Sequence, residues 1–403
     1  MQTLQKYFYR GTVLLALLFG ALCFVRPAQA NMWVTAYYPG WQQNRLKPSD
    51  IDFSAITHLI HFAVWPRQDG SLDTTHFLLS EQHSSAIISA AHNAGVKVLL
   101  CVGGASSAQQ FRGAIDNQHR AQFISNLVTM VTSRGYDGLD IDMEPINDAD
   151  IAPYSTFIQE LRTALKTANS QLLLTAAAAK GDPAIFFPLR NEFDQINIMT
   201  YDQSGPWPGF ETWHNAALYN IKDGGVLFQH PWMRNKYGTL PSTQKIMLSW
   251  LSTGFAIDRL GVGIPFYGTK WELDPNKVKN SPTITFPNVT NGVFEPNQSI
   301  TNNSADEDGT VIVKTQILSY DDIMTNYFTD ARSRWDARVN VPYLSEDSPG
   351  RDHDFFISYD NAASIGMKVQ YARSNNLGGV MIWELGSDSQ GELLQAVKDN
   401  AFN

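Results

Sequence analysis

The sequence predicts an α/β fold: a (β/α)8 TIM barrel with a small α+β insertion domain between its strands 7 and 8. Three observations lead there. Eight short apolar runs recur along the chain, at 33–38, 56–64, 97–102, 138–144, 171–179, 196–201, 260–266 and 378–383. Between several of them lie stretches with apolar residues at helical spacing, at 82–94, 118–133, 152–168 and 361–375; in the second, Phe123, Leu127 and Val131 recur at i, i+4 and i+8. Strand and helix in alternation imply a parallel sheet, and eight repeats suit closure into a barrel. Finally, the gap from Tyr267 to Trp383 is several times one strand–helix unit, so an extra element must fill it. A doubly wound open sheet is the competing arrangement. It announces itself with a Gly-rich phosphate loop after the first strand, where this chain has Pro39-Gly40-Trp41.

The elements follow in order. Residues 1–30 carry Lys6 and Arg10, then an apolar run from Gly11 to Val25, then Ala28-Gln29-Ala30. That is the layout of a cleaved export signal, with an uncleaved anchor as the alternative. The apolar run is shorter than the ~20 residues a membrane span needs, so a mature chain beginning at Asn31, secreted or periplasmic and without an integral membrane segment, is expected. Tyr37, Tyr38 and Trp41 close the first strand, and the segment from Asp202 to Gln244 carries Trp207, Trp213 and Trp232. At the carboxyl ends of barrel strands these aromatics are expected to ring one mouth. The expected domains are the catalytic barrel over 31–268 and 357–403 and the insertion over 269–356. The insertion has β-like pieces, and its aromatic Tyr320, Phe328, Trp335 and Tyr343 argue against a disordered linker. Its Asn288, Asn297 and Asn302 begin triplets that match the glycosylation pattern.

Composition narrows the function. Of 403 residues 43% are apolar, with 22 Phe, 15 Tyr and 10 Trp, enough for a large core. The net charge is −9, and loss of Lys6, Arg10 and Arg26 with the leader makes the mature chain more acidic still. Nucleic acid and anionic membranes are poor partners for such a chain; a neutral substrate is compatible with it. Cys23 lies in the leader, which leaves Cys101 alone and no internal disulfide. No Cys/His cluster has zinc spacing, so neither a structural metal nor a cofactor is expected. A monomer is assumed.

The stretch Asp137-Gly138-Leu139-Asp140-Ile141-Asp142-Met143-Glu144 carries the chemistry. Residues i, i+2 and i+4 of a strand share a face. Asp140, Asp142 and Glu144 therefore point into the barrel, with Cα atoms roughly 6.6 Å apart, while Leu139, Ile141 and Met143 face the helices. Carboxylates buried so close cannot all ionise freely. At least one should hold a proton near neutral pH, which is what a general acid requires. A magnesium site is the other reading of three acids in a row and stays open on these residues alone. Asp137 has the opposite parity and is expected to be structural.

This row resembles the DxxDxDxE motif of glycoside hydrolase family 18, the chitinase family. Other stretches agree. Cys101-Val102-Gly103-Gly104 is similar to the family's SxGG motif on the third strand, with Cys where Ser is usual; a thiol donates to a carboxylate more weakly than a hydroxyl. Met199-Thr200-Tyr201-Asp202 resembles its M-x-Y-D core on the sixth strand, followed by Gly205-Pro206-Trp207. Pro265-Phe266-Tyr267-Gly268 and Gly378-Gly379-Val380-Met381-Ile382-Trp383-Glu384 resemble the seventh and eighth strands, and Trp335-Asp336 and Tyr359-Asp360 resemble pieces in and after the chitinase insertion domain. The resemblance covers about residues 32–400.

The resemblance implies a mechanism. Glu144 protonates the glycosidic oxygen, and the substrate's own N-acetyl oxygen attacks the anomeric carbon, so the family departs from the paired-carboxylate scheme. Asp142 orients the acetamido group, and Asp140 sits beneath it sharing its proton. Tyr201 bonds the acetamido oxygen, and Asp202 binds the distorted sugar. Trp383 forms the floor, and Trp207 stacks across the scissile bond. Tyr37 and Tyr267 are pocket walls, Met199 shapes the pocket, and Gly103 and Gly104 lie along the substrate-binding face. The implied substrate is chitin or N-acetylglucosamine oligosaccharide. An endo-β-N-acetylglucosaminidase acting on N-glycans, or a chitin-binding lectin on the same barrel, are the alternatives.

Overall fold

The computed structural model describes residues 32–205, 213–220, 235, 238–273, 313–346 and 355–402. The export segment, Trp207, Trp232 and the Asn288, Asn297 and Asn302 triplets lie outside these residues. From Met32 onward the chain forms one compact unit.

All eight apolar runs become barrel strands. They are β1 (Trp33–Pro39), β2 (His58–Pro66), then, after a short β3 (Leu72–Asp73), β4 (Lys97–Gly104), β5 (Gly138–Met143), β6 (Leu173–Ala179), β7 (Gln195–Met199) and β8 (Leu260–Pro265), with β14 (Gly379–Trp383) as the last. The order is β1-β14-β8-β7-β6-β5-β4-β2, and a parallel β1–β2 pairing closes the ring. β3 pairs antiparallel with the end of β2 as a hairpin outside the ring.

Side-chain parity decides what lies in and out. Leu139, Ile141 and Met143 share the outer core with Phe123 and Leu127 of the helix Arg120–Arg134 and with Phe157 and Leu161 of the helix Ile151–Ala168. Each such fully buried side chain stabilises the fold by about 1.5–3 kcal/mol. The opposite parity lines the interior: Tyr37, Ile60, Phe62, Leu99, Cys101, Ala177 and Met381 form a separate inner cluster. Tyr38 follows the outward parity. It is buried beside His83 and donates to the Leu46 carbonyl at 2.6 Å, so it is not part of the mouth.

Acids at strand entries bolt the bottom of the barrel. Asp137 accepts from His92 Nε2 at 2.8 Å, Lys97 Nζ at 3.0 Å and the Val98 amide at 2.8 Å. Asp194 takes both forks of Arg162, at 2.7 and 2.9 Å, and the Leu174 amide at 2.9 Å. Each carboxylate thus ties one strand's entry to the strand beside it.

Between β8 and β14 the chain builds a second sheet from β9 (Tyr267–Leu273), β10 (Val313–Ser319), β11 (Ser333–Asp336), β12 (Val341–Glu346) and β13 (Phe355–Ser358). It is antiparallel in the order β10-β9-β13-β12-β11, with the helix Tyr320–Asn326 beside it. Trp213 lies in a buried cluster with Val339 and Val341 of this insertion and donates from Nε1 to the Pro241 carbonyl at 3.1 Å. It was expected at the mouth; its indole N–H finds its partner in the packed interior instead. Among the described residues no helix is long and apolar enough to cross a membrane.

Two predictions follow from the packing. Asp360, where the chain returns to the barrel, pairs with the Lys368 ammonium, both fully buried, and accepts from Ser364 Oγ at 2.6 Å. Asp360→Ala leaves that ammonium buried and unpaired and should cost about 3–5 kcal/mol in urea unfolding; adding Lys368→Met should recover much of the loss. Gly103 has φ +112°, and a Cβ there would stand 2.0 Å from the Asp142 carbonyl oxygen. Gly103→Ala should therefore lower stability by roughly 3 kcal/mol, from left-handed strain and overpacking together, in the same unfolding assay.

Candidate active site

The site grows from strand register. Asp140 stands between Cys101 of β4 on one side and Thr175 of β6 on the other, and all three share the inward parity. Thr175 Oγ1 donates to Asp140 Oδ1 at 2.6 Å, and Tyr37 Oη, from β1, donates to Oδ2 at 2.7 Å. The Cys101 thiol adds a third bond. Burial pushes the Asp140 carboxyl above its ordinary range, and these three donors pull it back.

Asp142, two residues on, is 4% exposed. Burial and the neighbouring charges of Glu144 and Asp140 push it well above the usual carboxylate range. Its hydrogen bond runs up to Glu144, and among the described residues no donor is directed at its buried Oδ1. Where the resemblance implies a proton shared between Asp140 and Asp142, the Asp142 hydrogen bond in this structure goes to Glu144. Asp140 is occupied by its three donors, and the bonded pair is Asp142–Glu144. Glu144 lies just beyond the end of β5 and is half-buried. Burial pushes it up to about 7; the bond from Asp142 lowers it, and Asp202 and Asp182 raise it. This pair therefore keeps a proton into the neutral range.

Above the acids a cavity of about 280 Å³ opens, lined by Tyr37, Asp142, Glu144, Met199, Tyr201, Asp202, Tyr267 and Trp383 among others. Eight of the twelve residues singled out in the sequence thus meet in one space. Asp140 lies beneath it. Gly103 and Gly104 do not line it. They lie under it with positive φ, where a Cβ on Gly103 would strike the Asp142 carbonyl and one on Gly104 would come within 2.7 Å of the Phe62 ring. Trp207 falls outside the described residues.

The cavity's polar groups are partly committed. Tyr267 Oη donates to Asp202 Oδ1 at 2.5 Å. Among the described residues Tyr201 Oη has only the Met381 thioether, at 3.7 Å, a weak acceptor, so its hydroxyl has bonding capacity to offer a ligand. Most of the rest is aromatic, with Met199, Ala105 and Ala177 between the rings. Trp383 stands 4.9 Å from Phe62 and 5.5 Å from Tyr37, ring to ring; Trp41 lies 5.6 Å from Phe62 and 5.4 Å from Phe77.

Sequence reasoning missed Phe62, His76, Phe77, Ala105 and Ala177 among the lining residues. Phe62 was legible in principle, two residues from Ile60 on the inward face of β2. His76 and Phe77 arrive by way of the β2–β3 hairpin, for which the sequence offered no clear period. Asp182 was also missed; it follows β6, and burial raises it to about 6. Among the described residues no three His, Cys, Asp or Glu converge to hold a metal ion. Chemically, the arrangement presents a proton donor tuned to neutral pH, an unpaired carboxylate oxygen beside it and a flat aromatic floor.

Comparison with known proteins agrees with this geometry. The profile described as "Glycosyl hydrolases family 18" matches residues 34–388. Class V chitinase CHIT5 of Lotus japonicus is 27% identical, over 88% of this chain and 82% of its own length. Chitinase B of Serratia marcescens is 26% identical, over 78% of this chain and 68% of its own. The crystal structure of the Ostrinia furnacalis Group IV chitinase superposes with a TM-score of 0.73 at 25% identity, covering 92% of this chain and all of that one. With the profile running from the first barrel strand to beyond the last, the chain belongs to glycosyl hydrolase family 18 and is a glycoside hydrolase.

Proposed function

We propose that the protein is an exported chitinase that hydrolyses β-1,4 linkages in N-acetylglucosamine polymers and oligomers, with retention of configuration and with Glu144 as general acid. The observation that carries this is the Asp142–Glu144 pair: one carboxyl holding a proton near pH 7 at the cavity, and beside it a buried carboxylate oxygen with no partner. An acetamido N–H is the donor that oxygen lacks. Such a donor favours the ionised form of Asp142, so a bound N-acetyl sugar drives the shared proton onto Glu144. Glu144 then gives it to the glycosidic oxygen as that bond to the anomeric carbon breaks. The substrate's acetamido carbonyl oxygen forms the new bond at that carbon, giving a cyclic oxazolinium. Tyr201 Oη bonds that carbonyl oxygen, and the Asp142 charge stabilises the cation. Water, deprotonated by Glu144, opens the ring from the side the leaving group vacated. Two displacements at one carbon retain its configuration. Trp383, Phe62 and Trp41 offer apolar faces to the sugar rings. Export is supported by the basic, apolar, Ala28-Gln29-Ala30 order of the first thirty residues.

Two outcomes are expected. In hydrolysis of N-acetylglucosamine oligomers, Glu144→Gln should lose about 10²–10⁴-fold in kcat, and NMR of the fresh wild-type product should show the β-anomer; an α-anomer excludes the retaining mechanism. The pH profile of kcat/KM should have its basic limb near 7. Glu144 is raised, so the donor proton is present below that pH and lost above it. A rate still flat at pH 9 would remove Glu144 as the acid.

A further inference from the structure

Asp202 follows β7 and turns the chain into the left-handed region, at φ +51°. A residue with a Cβ holds that conformation only where its surroundings fix it. Three contacts do so. Lys180 Nζ, just past the end of β6, donates to the Asp202 carbonyl. Asn215 Oδ1 accepts from the Asp202 amide at 3.2 Å. Tyr267 Oη donates to the carboxylate at 2.5 Å. The holders are held in turn. Trp250 Nε1 donates to the Lys180 carbonyl at 3.3 Å. Asn215 donates from Nδ2 to the Tyr267 carbonyl at 3.3 Å and from its amide to Ser358 Oγ, in the inserted sheet, at 2.7 Å.

We infer that Lys180 is a positioning residue for the hydrolysis proposed above, on which this inference rests. Together with Asn215 it clamps the Asp202 backbone so that the carboxylate faces the cavity, and it supplies the positive charge that keeps that carboxylate an acceptor for substrate hydroxyls.

The electrostatics agree. Burial raises Asp202, and Tyr267 and Lys180 lower it. Burial lowers Lys180, and Asp202 raises it. Among the described residues, the other titratable groups facing this pair are Glu144, Tyr201 and Tyr267, each acted on by the Asp202 charge; Asp182, two residues from Lys180, acts on Glu144. Lys180 is thus the cation set against a crowd of acids. The Asn215 contact is neutral, so the two halves of the clamp separate by experiment: one carries geometry and charge, the other geometry alone.

The test is a ¹³C-carboxyl NMR pH titration of Asp202, its resonance assigned with Asp202→Asn, run beside kcat/KM profiles on N-acetylglucosamine oligomers. In Lys180→Met the Asp202 midpoint should rise by about one pH unit, the acidic limb of kcat/KM should move up with it, and plateau kcat/KM should fall roughly tenfold, the loss of one charge-assisted hydrogen bond. Lys180→Arg should keep both midpoint and limb near wild type. Asn215→Ala should lower kcat/KM without moving the midpoint. A midpoint unchanged in Lys180→Met, or displaced as far in Lys180→Arg or Asn215→Ala, overturns the inference. A wild type that cleaves no such oligomer sinks the proposed function instead, and the NMR midpoint, which needs no turnover, still decides the role of Lys180.

Discussion

The site depends on one buried carboxylate that is fully bonded. An Asp in the middle of a barrel interior is costly unless its oxygens are satisfied. Asp140 takes its donors from three different strands: Tyr37 on β1, Cys101 on β4 and Thr175 on β6. None of these contacts is local in sequence; each exists only once the ring has closed in the observed register. With Asp140 supplied with donors, Asp142 has a negative neighbour below and turns upward to Glu144. The proton that the row must hold is thereby displaced toward the cavity, where it can be used. A chain that slipped β5 by one residue against β4 would turn every acid outward into the helix layer and every Leu, Ile and Met inward. The chemistry and the register are the same fact.

That fact explains how much was legible in the sequence. The eight strands and the direction of the acid row follow from period-two parity, which a strand imposes on any sequence. Trp383, Tyr201 and Asp202 were legible through stretches that resemble the family's motifs at the ends of strands, where pattern alone would have left Trp383 as core. Tyr38 and Trp213 misled for a related reason. An aromatic near a strand's end looks like a mouth residue, yet Tyr38 has the outward parity and Trp213 found its hydrogen-bond acceptor in a packed cluster beside the inserted sheet. The hairpin that brings His76 and Phe77 to the cavity has a strand of only two residues, too short for any period. Lys180 and Asn215 act through the backbone of Asp202, and a backbone contact leaves no mark on residue patterning.

The inserted sheet is built into the site. Its first residue, Tyr267, is both the start of β9 and a wall of the cavity that bonds Asp202. Its far side is fastened by His214, buried, whose Nε2 meets Asp336 Oδ2 at 3.1 Å while Ser358 Oγ lies 3.5 Å from Nδ1. Burial pushes Asp336 up, but Arg338 and His214 pull it well below the ordinary carboxylate range, so the Asp336 end of this fastening stays ionised, while burial holds the His214 imidazole below its ordinary range. His214 and Asn215 are consecutive: one grips the inserted sheet, the other grips Asp202. The inserted sheet is thus joined to Asp202 by two routes, directly through the Tyr267 hydroxyl and through the His214-Asn215 dipeptide.

The charge pattern then constrains what the cavity accepts. Asp140 and Glu144 push Asp142 up, Asp202 and Asp182 push Glu144 up, and Lys180 pulls Asp202 down. An anionic ligand meets repulsion from the ionised carboxylates, strengthened by a low-dielectric wall. A neutral ligand pays little, and a ligand that becomes positive during the reaction gains from the same field that excluded the anion. The aromatic floor adds attraction for apolar sugar faces without adding charge. An acidic, aromatic cavity of this kind is thus matched to a neutral glycan whose transition state is a cation. The sequence's overall acidity points the same way, because the net charge of −9 places no long-range barrier before an uncharged polymer.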